Sequence, residues 1–513
     1  MGLSPTEYRL MLPMVELTIF GLGILLIDLI VPREWKWINA AGAFMGVLFA
    51  GVCVAQIQWA LPRGGIGFLN SLLVDRFAIY FWYLFLAGAA IAILMSVRYL
   101  DIENEHHGEY YALMLLSVVG MMCMAAGIDI VLIFIGLELM AISTYVLVGF
   151  LRRDRRSNEA ALKYLLLGAF SSGIFAYGLS LLYGLTGSTN LALMPNALAK
   201  LGPHNPVVVI AVLTTMVGLL FKIAAIPFHQ WAPDAYEGAP TSITGFMSVA
   251  VKAAAWAMLL RILGYPVLFS AGRMFVLGLY PLRSIYTPMI VFVAIATMTG
   301  ANLAALTQNN TKRLLAYSSI AHVGYMLLAF VAMGTSQPGT PGFIDGLKGI
   351  LIYLMVYTFM NLGAFAVITS LRQRDVIGDE LDDLAGLYSR APAEAALMLL
   401  FLLSLAGIPP AAGFLGKYYI FLSLIESGHY VLASLAVFYV LFGLYYYLKI
   451  ANAMFMRQPL VPERLPVSWG MRAALGITAL ATIVIGVYPE PFIRSVNWSL
   501  GIAQVSHVAA VMK

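Results

Sequence analysis

The sequence predicts an all-α integral membrane protein of about fourteen transmembrane helices, and three observations predict it. Hydrophobic residues fill 61% of the 513 positions and charged residues only 11%, against roughly 45–50% and 25% in an ordinary soluble domain. The apolar residues gather into successive runs of about 20, the length that crosses the hydrocarbon of a bilayer. The basic residues are spread over the short loops between those runs, where they act as topology signals. Lipid offers a backbone amide no hydrogen-bond partner, so each run satisfies its own backbone as a helix.

The first run, 10–31, holds Glu16 and Asp28, lacks a small-residue cleavage site and is followed by many similar runs. It therefore reads as a retained helix and not as a removed leader. Further spans are expected near 38–59, 77–98, 109–127, 129–151, 161–186, 206–228, 242–263, 286–307, 314–334, 345–371, 395–425, 430–456 and 468–488, with the fourth and fifth separated only by the turn at Gly127–Asp129. An even number of crossings leaves both termini on one side. Lysines and arginines then sort 17 against 10 between the two sets of loops. The positive-inside rule places the richer set in the cytoplasm, anchored by the cluster Arg152, Arg153, Arg155 and Arg156, and so predicts periplasmic termini.

Several function classes are disfavoured. Cys53 and Cys123 lie far apart in apolar runs, which argues against a disulfide framework, a metal site or an iron–sulfur cluster. The net charge of +5 and pI near 9.0 are not concentrated in one stripe, so nucleic acid is not expected as a partner. No glycine-rich loop sits between a strand and a helix and no Gly-Lys-Ser/Thr occurs, so the chain is not expected to bind a dinucleotide itself. Glu103, Glu105, His106, His107 and Glu109 have a ligand-like composition but fall in one polar loop, read as solvated. The stretch from Asp375 to Asp383 reads as a polar connector, or a docking surface.

Of the 30 basic residues, three find no loop: Lys222, Lys252 and Lys417. A lysine near mid-membrane costs roughly 2.5–3.5 kcal/mol, so it needs a partner, a hydrated cavity or a function. Burial favours the neutral amine and a nearby carboxylate favours the ammonium, so small rearrangements can load and unload a proton. Glu138 is the matching acid, deep in the fifth span and without a basic neighbour on its own helix. Its first candidate partner is Lys222, since an isolated carboxylate would protonate. Lys222 is followed by Pro227, His229, Pro233 and Pro240, and the stretch from Ser404 to Lys417 holds Gly407, Pro409, Pro410, Gly413 and Gly416. Proline removes an amide donor and frees a carbonyl. Interrupted helices in corresponding halves of a chain are a transporter's ion-path signature, and here they are the seventh and twelfth spans. His322, in the tenth span, titrates near neutrality and is placed to pass protons between Lys252 and Lys417. Lys163 opens the sixth span beside Glu159 and is either a relay member or a snorkelling loop lysine. Taken singly, each feature also has a structural reading: an ion pair, a hydrogen-bonded imidazole, a proline kink. Their combination points to a proton relay.

Three runs carry a family resemblance: Gly136-Leu-Glu138-Leu-Met; Phe221-Lys222-Ile-Ala-Ala-Ile-Pro-Phe-His-Gln-Trp-Ala-Pro-Asp-Ala-Tyr-Glu-Gly-Ala-Pro-Thr241; and Lys312-Arg-Leu-Leu-Ala-Tyr-Ser-Ser-Ile-Ala-His322. They resemble the antiporter-like subunits of respiratory complex I, whose fold is shared with Mrp-type cation/proton antiporters, and the resemblance covers nearly the whole chain. Within that group the length and motif wording look most like the subunit N branch. The L branch has a long lateral helix, whereas this sequence stops about 25 residues after its last span; the M branch typically has glutamate at the position of Lys417.

The resemblance implies two inverted five-helix repeats. It divides the chain into an N-terminal three-helix segment (1–108), a first repeat (109–263, helices 4–8), a second repeat (286–456, helices 9–13) and a last helix with a C-terminal tail (468–513). Glu138 and Lys222 would form a modulating pair, Lys252 the central relay lysine, His322 a bridge and Lys417 the exit-side lysine, with Lys163 matching a family lysine. The implied activity is proton translocation across a bacterial inner membrane, coupled to electron transfer from NADH to quinone in other subunits. This chain would hold no redox centre. FMN, iron–sulfur clusters and a quinone such as ubiquinone belong to partner subunits. The implied partners are other membrane subunits of complex I, neighbouring antiporter-like subunits included, and membrane lipids. Two alternatives stand beside this reading: a subunit of a multi-subunit sodium/proton antiporter, and a proton-inactive scaffold of the membrane arm.

Overall fold

The computed structural model describes residues 4–62, 64–264, 268–270, 273–275, 277–372, 378–459 and 467–501. Arg63, Arg374, Asp375, Arg464, Lys513 and the tail 502–513 lie outside the described residues. In chain order the helices are α1 (Pro5–Ile30), α2 (Trp37–Ala60), α3 (Arg76–Glu103), α4 (Gly108–Ala126), α5 (Ile130–Val148), α6 (Arg155–Thr186), α7 (Met194–Leu201), α8 (Pro206–Lys222), α9 (Trp231–Gly238), α10 (Thr241–Phe246), α11 (Lys252–Ile262), α12 (Arg283–Leu306), α13 (Thr311–Thr335), α14 (Pro341–Leu371), α15 (Leu387–Arg390), α16 (Pro392–Ala406), α17 (Ala412–Glu426), α18 (Tyr430–Met456), α19 (Trp469–Val487) and α20 (Glu490–Ser499). Side-chain caps start many of them: Asp75, Asp129, Asp154, Asn205, Asn310 and Ser468 each accept from a first-turn amide. Such caps satisfy donors that a helix leaves open at its start.

Among the described residues twelve stretches are long and apolar enough to cross a membrane, one of them formed by α10 and α11 joined through the π-turn Met247–Val251. Two expected spans are interrupted. The seventh ends as α8 at Lys222 and resumes as α9; the twelfth ends as α16 at Ala406 and resumes as α17. The first break falls ahead of Pro227: Ala224 takes φ +60°, and its amide and that of Ala225 turn back onto the carbonyls of Phe221 and Leu220 at 3.0 Å each. The second is made by Gly407 at φ +83°. Its amide caps Leu403 and Ser404, and Pro409 and Pro410 then offer no donor to continue the helix.

The helices form shells. The spans of α10–α11, α13 and α14 are 94–100% buried, whereas those of α1, α2, α6, α18 and α19 are 28–39% buried and turn leucine, valine and aromatic side chains outward. Ionisable groups on the inner helices are therefore shielded from lipid by a ring of outer ones. Two short antiparallel hairpins, Gly65–Gly67 with Leu72–Val74 and Leu268–Ser270 with Arg273–Phe275, accompany the helices. The hydropathy runs gave no sign of them, because each strand has only three residues.

The sorting of basic residues into loops fails at two positions. Arg261 is wholly buried, with its guanidinium on Asp75 at 2.9 and 2.5 Å, on the Ala125 carbonyl at 2.8 Å and over the Phe77 ring. Lys312 is also buried, 3.4 Å from Asp379 and donating to the Ala239 carbonyl at 2.8 Å. Burial pushes the Asp379 carboxyl above the ordinary carboxylate range, with Lys312 opposing. Sequence position near a helix end cannot distinguish a solvated cation from one folded back onto a distant carboxylate. Arg261→Ala leaves Asp75 buried and uncompensated, so it should cost about 3–5 kcal/mol. Thermal unfolding of the solubilised protein should show a clearly lower midpoint for Arg261→Ala than for the joint replacement of Asp75 and Arg261 by apolar residues.

Candidate functional site

Lys222 is the last residue of α8 and is 2% exposed. A helix C-terminus carries unbonded carbonyls and the negative end of the macrodipole, which favours a cation there. Its ammonium donates to the Tyr145 hydroxyl at 3.4 Å and lies 5.5 Å from that ring. Glu138, expected as its partner, is on the same helix as Tyr145, two turns earlier, within electrostatic reach of Lys222. Among the described residues no ion pair joins them, and Glu138 Oε1 is buried without a hydrogen-bond partner. The carboxylate sits at the edge of a face on which α5 turns Val131, Ile135 and Ile142 outward. Close approach at Gly168 makes room for Tyr145: a Cβ there would collide with its hydroxyl.

Lys252 follows the π-turn, in the wholly buried α10–α11 span. Its ammonium donates to the Ser319 hydroxyl of α13. One residue away, Ser318 bonds the Tyr447 hydroxyl of α18, and that hydroxyl also meets His322 Nε2 at 3.0 Å. His322 Nδ1 meets the Tyr353 hydroxyl of α14 at 2.5 Å. Both ring nitrogens thus face hydroxyls that can donate or accept, so a proton taken up on one side of the ring can be released on the other. Lys252 and Lys417 both lie within electrostatic reach of the imidazole.

Lys417 belongs to α17 but reaches back across the second break. Its ammonium donates to the Leu405 and Ala406 carbonyls at 3.0 and 2.7 Å, the open C-terminus of α16, and stands 5.5 Å from the Tyr325 ring. Tyr353 packs against the backbone at Gly416, next to it. The structure therefore brings Lys252, His322 and Lys417 into one neighbourhood. Lys222, Tyr145 and Glu138 form a second, and among the described residues no hydrogen bond or ion pair joins the two. Lys163 lies apart, half-exposed, between Glu159 and Asp234 at 2.9 Å each.

Among the described residues, Lys222, Lys252 and Lys417 have no carboxylate within 4.0 Å, whereas Arg261, Lys312 and Arg313 each do. Sequence reasoning missed Tyr145, Ser319, Tyr353 and Tyr447, which hold the site through hydroxyls. The one available signal was Tyr145, seven residues after Glu138 and so on the same helix face. The loop Glu103–Glu109 finds partners within the protein: His106 Nε2 lies 2.8 Å from Asp101, and Glu103 pairs with Arg372 at 2.5 Å and Glu109 with Arg152 at 3.2 Å. Among the described residues no group of three or more His, Cys, Asp or Glu is placed to hold a metal ion.

Outward-facing apolar helices around buried ones, with two interrupted helices whose open ends meet buried lysines, define a multi-pass membrane protein. Residues 127–443 match the family described as NADH:quinone oxidoreductase/Mrp antiporter, TM. The chain is 61% identical to NADH-quinone oxidoreductase subunit N 1 of Koribacter versatilis, covering 100% of this chain and 99% of that one. It is 51% identical to subunit N 2 of Solibacter usitatus, over 97% and 98% of the two chains. A chain of respiratory complex I from Thermus thermophilus superposes with a TM-score of 0.76 at 30% identity, over 94% of this chain and 98% of that one. A chain of the Mrp complex from Dietzia sp. has the same fold, with a TM-score of 0.76 at 19% identity, over 95% and 97%. The chain belongs to the NADH:quinone oxidoreductase/Mrp antiporter family and, within it, to NADH-quinone oxidoreductase subunit N.

Gly407→Ala tests the second break. A Cβ there meets Lys417 Cδ at 2.8 Å on a backbone with φ +83°, so the variant should lose about 1 kcal/mol or more. A lowered unfolding midpoint of the solubilised protein is the expected result.

Proposed function

We propose that this chain is a membrane-arm subunit of a proton-translocating NADH:quinone oxidoreductase, and that Lys252, His322 and Lys417 carry the proton while Glu138 and Lys222 form the pair that modulates it. Lys163 serves at the face that bears Arg152–Arg156. The observation that carries the reading is the set of three mid-depth lysines with no carboxylate in contact. A cation kept for structure keeps its counter-ion, as Arg261 does with Asp75; a cation that must lose its proton does better against hydroxyls and carbonyls, which leave no stranded charge when the amine is neutral.

In this scheme, charge changes arising from quinone reduction in partner subunits reach Glu138 first, at the outward edge of α5. They alter its pull on Lys222 across the Tyr145 hydroxyl. The Lys222 charge then acts on Lys252 through a medium of low dielectric, where coupling is strong. The proton of Lys252 passes by way of Ser319, Ser318, Tyr447 and His322 toward Lys417. The chain's own residues hold and move protons; NADH oxidation and quinone reduction belong to partner subunits, which supply FMN, iron–sulfur clusters and quinone. We place the Arg152–Arg156 face in the cytoplasm and both termini in the periplasm. Identity to subunit N proteins over the full length favours this reading over a sodium/proton antiporter subunit. Copurification tests that choice: redox subunits should accompany this chain through affinity purification, and their consistent absence would count for the antiporter.

Replacing Lys252 by alanine removes a positioned proton-transfer group, which should slow the relay by about 100-fold or more. In inverted membrane vesicles, Glu138→Ala, Lys222→Ala and Lys252→Ala should each lower the protons moved per NADH oxidised. Full pumping in all three variants would reject the scheme; normal pumping with poor assembly would favour the scaffold reading.

A further inference from the structure

Among the described residues no hydrogen bond or ion pair joins the two neighbourhoods of the proposed relay, yet the relay requires the state of Lys222 to reach Lys252 and His322. One cluster outside the relay joins the elements concerned. α9 resumes the helix broken at Lys222, and Asp234 and Glu237 lie three residues apart on one of its faces. Arg313 Nη1 donates to both, at 2.6 Å to Asp234 Oδ1 and 2.8 Å to Glu237 Oε2. Lys312 takes the carbonyl of Ala239, the C-cap residue of α9, at 2.8 Å. Two consecutive residues of α13 thus grip α9 by two carboxylates and its open end.

The grip is anchored on both sides. Lys163 of α6 holds the other oxygen of Asp234 at 2.9 Å. On the α13 side, Asn310 caps the Arg313 amide, and the Thr311 amide donates to the Asp379 carbonyl at 2.7 Å. Arg313 and Asp234 are only about three-quarters buried, so these pairs contribute little stability by themselves; their value lies in position. Ser319 and His322 follow Arg313 on the same helix, about 9–14 Å further along at 1.5 Å per residue. α13 is one unbroken helix of 25 residues and is almost wholly buried.

We propose that Lys312 and Arg313 form a clamp fastening α9 to the helix of Ser319 and His322, and that Asp234, Glu237 and Arg313 are positioning residues of the relay. Rearrangement of the break at Lys222 displaces α9, and the clamp carries that displacement to the hydroxyl that faces Lys252. The inference rests on the proton-translocation reading above.

The test uses inverted membrane vesicles containing the whole assembled complex, with Arg313→Gln, Arg313→Lys, Asp234→Ala and, as reference, Lys252→Ala. Protons moved per NADH oxidised, the NADH:quinone rate and the amount of assembled complex are measured together. The clamp predicts that Arg313→Gln and Asp234→Ala lower the proton ratio toward that of Lys252→Ala with quinone reduction and assembly retained. Arg313→Lys, which keeps a cation between the two carboxylates, should recover much of the loss. An unchanged ratio in Arg313→Gln beside a lowered one in Lys252→Ala overturns the clamp alone. Unchanged ratios in both overturn the proton-translocation reading itself. Loss of assembled complex without a change in ratio, or equal losses in Arg313→Lys and Arg313→Gln, also overturns the clamp.

Discussion

Everything in this molecule depends on how three ammonium groups are kept in an apolar interior with no carboxylate among the described residues in contact. Each has a different substitute. Lys222 sits at the C-terminus of α8 against a tyrosine hydroxyl, Lys252 donates to a serine, and Lys417 takes two open carbonyls of α16. Carbonyls and hydroxyls stabilise a cation by dipoles, and when the amine is neutral they leave behind no buried charge. A carboxylate partner would bind the cation more firmly and would be stranded when the proton left. The architecture therefore suits groups that alternate between charged and neutral.

The interrupted helices follow from that constraint. An unbroken helix spends its carbonyls internally and exposes none at mid-depth. Breaking the seventh and twelfth spans puts helix ends in the middle of the protein, where Lys222 and Lys417 use them. The two breaks place one lysine in each half of the chain. Outer helices such as α6 and α18 turn their leucines and aromatics to lipid, and α13 and α14 remain for the hydroxyls that surround His322. These two helices have no lipid-facing side, so serine, histidine and tyrosine cost them less.

Much of the fold was legible in the chain because lipid imposes a length and a polarity on every span. The run from Ile130 to Val148 announces itself, and a lysine amid such residues is conspicuous. Prolines and glycines marked both breaks, although Ala224, with its left-handed backbone, carried no signal for where the first begins. The partners were less visible. Arg261 and Lys312 look like loop cations, and only folding reveals Asp75 and Asp379. Glu138 and Lys222 were expected to pair, and the tyrosine hydroxyl beside Lys222 was not foreseen because tyrosine in a membrane span reads as an ordinary aromatic. Ser318 and Ser319 lie on α13 and Tyr447 on α18, and nothing in the spacing between them along the chain brings these hydroxyls together.

Lys252→Arg addresses the central claim most directly. Arginine keeps the positive charge at the same place but holds its proton at any physiological pH. If Lys252 works by giving up its proton, vesicles carrying this variant will assemble the complex and reduce quinone while moving fewer protons per NADH, as if the side chain were absent. Full proton movement in the arginine variant would mean that a fixed charge suffices at this position, and the account of a lysine that alternates between charged and neutral would be wrong.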